Sequence, residues 1–115
     1  LVDPFLIELQ IAGDLRHRIT IESALRTSDG AGGSTTEWQT VAEVWAAIWS
    51  RTVDEAFTLD RVAGMATHDI WMRYRADVKP DMRIRFGTRV FDILGAIDVE
   101  DRGAWLKCPV EERDL

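Results

Sequence analysis

Between residues 67 and 110 the chain alternates apolar with charged or polar residues in four short runs, each bounded by a turn signal. A period of two sends successive side chains to opposite faces, the pattern of strands with one buried face. In residues 67–75, Ile70, Met72 and Tyr74 alternate with Asp69, Trp71, Arg73 and Arg75. A turn through 77–80 leads to 82–86, where Arg83 and Arg85 mark the outer face. Gly87-Thr88 then suits a two-residue hairpin, because glycine supplies the positive φ of a tight reversal. The return run, 90–97, places Phe91, Ile93 and Ile97 on one face, and 104–110 closes the set with Leu106 and Cys108.

The same alternation occurs upstream. Over 15–26, Leu15, Ile19, Ile21 and Leu25 face one way, and Arg16, Arg18, Thr20, Glu22 and Arg26 the other. Residues 27–36 (TSDGAGGSTT) contain nothing to bury and read as a flexible loop or a long hairpin connection. Residues 37–50 are apolar on both faces, and their aromatic and β-branched content favours a strand buried on both sides. One short helix is expected at 52–63: Thr52 and Glu55 form a capping box, and Gly64 offers a left-handed stop. The expected fold is therefore mainly β, a small barrel or sandwich of about six antiparallel strands with one short α-helix. An apolar arm at 1–14 should precede the barrel domain at 15–110, and a charged, frayed tail at 111–115 should follow.

Function is constrained mostly by what is missing. The 115 residues suffice for one domain with a modest core, and a single cysteine, Cys108, makes an internal disulfide impossible. No apolar run is long enough to cross a bilayer as a helix, and neither a membrane span nor secretion is expected. His17, His68 and Cys108 lie far apart without metal-ligand spacing, so no metal or other cofactor is expected. Cys108 has no glycine-rich elbow and precedes Pro109, which favours an inert buried thiol over a nucleophile. Asp98, Glu100 and Asp101 occupy an expected turn, where solvated acids are a simpler reading than a paired-acid site. No catalytic residues are assigned, and an enzyme is not expected.

The formal net charge of −6 points away from phosphate gripping and towards protein partners, or a surface that DNA slides past. Arg73, Arg75, Arg83, Arg85 and Arg89 alternate outward on successive strands. They form either a contact stripe or a solvated face offset by Asp69 and Asp92. Five tryptophans exceed the obvious needs of one small core, and tryptophan is enriched at protein contacts. Trp45, Trp49, Trp71, Arg73, Arg75, Arg83 and Arg85 are thus candidates for a subunit interface. The glycine-rich SDGAGGS matches no phosphate-binding loop and reads as a connector.

Taken together, GDLRHRITIE (13–22), the glycine-rich loop, W-x₂-VAEVWAAI (38–48), Glu55, THDIWMRYRADVKPDMRI (67–84) and RVFDILGAIDVEDRGAWLKC (89–108) resemble the phage head–tail joining family, the head-closure, stopper or adaptor proteins. The residues before Gly13 depart from the usual family start. The resemblance implies a small β-barrel with a short helix, assembled as a homo-oligomeric ring, a dodecamer, under the portal of a tailed-phage capsid. Its partners would be copies of itself, the portal or adaptor ring and tail proteins, with packaged DNA passing through without sequence-specific binding. The particle would be a phage or a gene transfer agent, assembled in the bacterial cytoplasm. On this reading Asp29, Gly30, Gly32 and Gly33 belong to a loop facing the channel or a neighbouring ring. The rival is a small barrel that binds nucleic acid or protein through Trp71, Tyr74 and the arginines. Its marker would be salt-dependent binding to single-stranded DNA.

Overall fold

The computed structural model describes residues 11–51 and 66–113; the expected helix at 52–63 and most of the arm at 1–14 lie outside them. Residues 11–14 make one helical turn with Ile11 buried. Seven strands follow: β1 (His17–Ser28), β2 (Ser34–Ser50), β3 (His68–Arg73), β4 (Arg83–Phe86), β5 (Arg89–Ile93), β6 (Ile97–Asp98) and β7 (Trp105–Glu112).

All pairings are antiparallel, and they close a circuit: β1–β2–β3–β7–β5–β4 and back to β1. One edge of β7 is occupied by β3 from Trp105 to Val110. The other edge is shared, β5 taking Val110 to Glu112 and β6 taking Leu106 and Lys107. Closure removes the open edges that a sheet of this size would otherwise present. Alternation then fills the interior with Ile19, Ile21, Ala46, Ile70, Met72, Ile84, Phe91, Ile93, Leu106, Cys108 and Val110. Glycine is required at the β4–β5 turn, where Phe86 faces Arg89 and Gly87 has φ +61°.

Several expectations need correction. Residues 27–36 are not one long loop, since β1 and β2 stay paired to Ser28 and Ser34 and leave only 29–33 as the turn. β4 leaves β1 at Glu22, so beyond that point the β1–β2 ribbon projects from the barrel for roughly 20 Å. Leu25 lies on this ribbon and is 43% exposed, because the core it was expected to join does not extend that far. β2 is not buried on both sides throughout: only Ala46 and Ala47 are fully covered, and Trp45 is exposed. Ile97, expected beside Phe91 and Ile93, lies beyond the end of β5 and is also exposed. Glu111 and Glu112, assigned to the tail, are the last residues of β7.

A bulge in β2 decides which tryptophans share a face. Ile21 pairs with Ala42 but Glu22 pairs with Thr40, so Val41 is an extra residue. An extra residue reverses the in–out alternation of its strand. Trp45 and Trp38 are seven apart, an odd separation that would normally put them on opposite faces. With the bulge between them, both face outward.

Candidate interaction surface

The hairpin tip is a defined turn. The Asp29 carboxylate oxygen Oδ1 accepts the backbone N–H groups of Ala31 (2.8 Å) and Gly33 (3.1 Å), and the Asp29 N–H donates to the Gly33 carbonyl (3.2 Å). Gly30 and Gly32 adopt φ of +80° and +85°, a region that side-chain-bearing residues rarely occupy. The four residues singled out in the loop thus act together to shape an exposed tip.

The arginines do not form one stripe. Arg83 lies at the root of the ribbon, its guanidinium 4.0 Å from the centre of the Trp38 ring and its Nε donating to Glu22 at 2.7 Å. Arg85 reaches the other Glu22 oxygen at 3.7 Å. Glu22 is on the outer, polar face as its alternation predicts, yet these neighbours leave it only 5% exposed. Arg89 is paired in fork geometry with Glu112 (2.7 and 3.2 Å). Arg75 pairs likewise with Asp77 (3.0 and 2.9 Å), and Arg73 lies over the Trp105 ring (4.8 Å). Asp69 and Asp92 do not offset the stripe as expected. Asp69 holds Arg51 (2.9 and 2.6 Å), and Asp92 holds Arg113 (2.8 Å).

The tryptophans divide too. Trp49 and Trp71 meet at 5.6 Å on the outer wall, with the Lys107 ammonium 5.7 Å from the Trp71 ring centre. Trp45 instead lines an open groove of about 650 Å³ with Arg18, Glu43, Arg73, Tyr74 and Arg75. Trp45 is 52% exposed and Tyr74 40%, so two large ring surfaces face solvent beside three arginines and a single glutamate. Arg18 and Tyr74 extend the candidate interface beyond the residues picked from the sequence. The signal for Arg18 was its outward position opposite Trp45, visible only once the β1–β2 register is known. An exposed aromatic and cationic groove is suited to docking a protein surface that offers carboxylates and apolar contacts.

The chemistry of the interior is quiet. Burial pushes the Cys108 thiol up to about 12, so it carries almost no thiolate near neutrality. Among the described residues, no group of three or more His, Cys, Asp or Glu side chains is placed to hold a metal ion. Among the described residues, three groups make folding stability fall as the solution is acidified. Burial holds His68 below its usual value, and hydrogen bonds from Arg89 and Arg75 hold Glu112 and Asp77 below theirs. In each case the unfolded chain binds the proton more readily, so stability is lost as pH falls. His68 contributes first, from its ordinary value of 6.5 downward, and the carboxylates follow below about pH 4.5. Urea midpoints measured from pH 7.5 to 4 should fall steadily, and His68→Asn should flatten the upper part of that slope.

A family model described as phage head completion protein matches residues 11–113, the described barrel and its ribbon together. This chain belongs to the phage head completion protein family. No curated protein matches this head completion protein. Two solved structures are similar to it. The solution structure of a Shigella flexneri 2a protein has 30% identity and a TM-score of 0.70, covering 87% of this chain and 94% of that one. A chain from the virion of a native gene transfer agent particle has 28% identity and a TM-score of 0.63, covering 85% and 94%. The head completion fold is thus shared with a chain of an assembled particle, over nearly all of that chain's length.

Proposed function

We propose that this head completion protein closes the head of a tailed-phage-type particle, as a ring of identical copies between the portal or adaptor and the tail. In that position it retains packaged DNA and gives the tail its seat, and the ring is a dodecamer. As a family member the protein is a structural component of a phage-type particle, either a phage or a gene transfer agent. The observation that carries the proposal is the match of the family model to residues 11–113, which leaves no described part of the barrel unaccounted for.

The physical features support this reading. A closed barrel with a projecting ribbon has a rigid body for packing against neighbours and an arm for reaching past them. A net charge of −6 repels phosphates, so DNA would pass such a surface without sticking. The nucleic-acid-binding alternative would need a continuous cationic and aromatic face. Arg83, Arg75 and Arg89 are instead each paired with a carboxylate, and Trp71 is engaged by Trp49 and Lys107.

Electron microscopy of particles made without the protein is expected to show heads that lack tails and have leaked their DNA. Normal tailed, filled particles, or purified particles that contain none of the protein, would overturn the proposal. Within this reading the 29–33 tip faces the channel or the adjoining ring. Deleting residues 29–34 should then leave rings that form but leak DNA, measured as nuclease-protected DNA per particle. Unchanged retention would rule the tip out.

A further inference from the structure

Two places on the surface carry exposed apolar side chains beside a charge that no other described residue neutralises. The first is on the ribbon. Leu25, 43% exposed, pairs across the hairpin with Glu37, so the two side chains are neighbours on one face. That face continues the inward parity of Ile19 and Ile21, opposite the face that carries Trp38 and Arg83. Its other residues are Ser23, Thr27, Thr35 and Gln39, which leaves Glu37 as its only charge. Glu37 is exposed and has no ion-pair partner among the described residues.

The second place is the groove, where Trp45 and Tyr74 are 52% and 40% exposed. Two of its three arginines already have a carboxylate. Arg75 pairs with Asp77 at 2.9 Å, and Arg18 is 4.0 Å from Glu43. Arg73 is exposed and has no carboxylate partner among the described residues. Its guanidinium lies over the Trp105 ring, which attracts the cation without cancelling its charge.

A copy cannot lay its ribbon in its own groove. Glu37 and Trp45 are eight residues apart on β2, roughly 25 Å of strand. The extra residue Val41 between them reverses the alternation, so Glu37 faces the inner side of the sheet and Trp45 the outer. A rotated second copy meets neither obstacle, because the inner face of one ribbon can overlap the outer wall of the next barrel. The molecule measures 58 Å by 29 Å by 27 Å, which gives the ribbon room to reach past its own barrel.

We infer that the ribbon of each copy lies on the groove of the next, with Leu25 on the Trp45 and Tyr74 rings and the Glu37 carboxylate on the Arg73 guanidinium. The contact rests on the ring reading above and gives it an interface. It is heterologous: each copy gives an arm and receives one, and a closed ring leaves neither patch unused. Apolar burial holds the contact, and the single ion pair fixes how the arm lies.

Every contact in such a ring is the same, so exchanging the two charges within one chain restores all of them. Variants are expressed in cells that produce the particle without its native copy of this protein. Glu37→Arg and Arg73→Glu should each be incorporated into purified particles at least about tenfold less than the parent protein. The double variant Glu37→Arg, Arg73→Glu should return close to the parent level. Circular dichroism of each variant checks that the barrel is intact. A second measurement leaves both charges in place. Thr27 is on the Leu25 face and Glu43 lines the groove, too far apart within one copy for a short bismaleimide to span. A Thr27→Cys, Glu43→Cys protein treated with that reagent in assembled particles should give a ladder of cross-linked oligomers, and the buried Cys108 does not compete. Normal incorporation of either single variant, a folded double variant no better than the singles, or the absence of a ladder overturns the interface. Losses in the single variants without rescue assign the groove to a portal or tail protein instead. If the parent protein still occupies particles as a ring, the ring reading survives that failure; if it is present as one copy, both readings fall.

Discussion

Replacing Glu22 with alanine is expected to lower the unfolding free energy by about 3 kcal/mol, read from urea denaturation. Glu22 is 5% exposed and accepts from Arg83, whose side chain is itself mostly buried and lies against the Trp38 ring. Removing the carboxylate leaves the guanidinium with much of its hydration lost and no counter-charge, which costs more than the pair contributes by its mere presence. The discriminating comparison is the double variant Glu22→Leu, Arg83→Met. With both charges gone, most of the lost stability should return. A double variant as unstable as the single one would mean that packing, rather than the uncompensated charge, governs the site. The same pair holds the root of the ribbon, so its loss should also increase backbone amide exchange from Ser23 to Ser28 more than in β3.

The second large effect is expected at Phe91, where alanine should cost about 4 kcal/mol. The ring is fully buried, and its residue lies where the circuit closes, paired with Ile84 on one side and Glu112 on the other. The His68 ring meets it edge-on at 5.4 Å, and the Arg89 guanidinium lies 4.9 Å from its centre. Truncation therefore opens a cavity and removes the surface that orders two polar neighbours. A domain of this size has about 5–15 kcal/mol to lose, so Phe91→Ala should unfold at a markedly lower temperature in a calorimetric scan. A loss under about 1 kcal/mol would mean that the barrel can collapse around the missing ring.

What could be read from the sequence was whatever depends on neighbours along the chain. The alternation in β3, β4, β5 and β7 declared their inner faces, because a strand's in–out pattern is local. Gly87-Thr88 declared its hairpin because only two residues are involved. The failures came where a distant partner ends or slips. Leu25 has the period of a core residue, but β4 stops at Glu22 and leaves nothing for it to pack against. The arginine stripe was inferred from alternation on separate strands, whereas strand pairing placed Arg83 and Arg85 on one glutamate and Arg89 on another.

The sequence by itself determined that this chain is a β protein, where most of its strands lie and, through its combined motifs, which family it resembles. Only the tertiary structure decided that the circuit closes, that Val41 is an extra residue turning Trp38 outward, and that Trp45 and Tyr74 share one groove with Arg18, Arg73 and Arg75. The reason is that a strand's own pattern encodes which face is apolar but not which strand lies beside it. Register and closure are set by contacts between residues far apart in the chain, and a shift of one residue exchanges every inward side chain for an outward one.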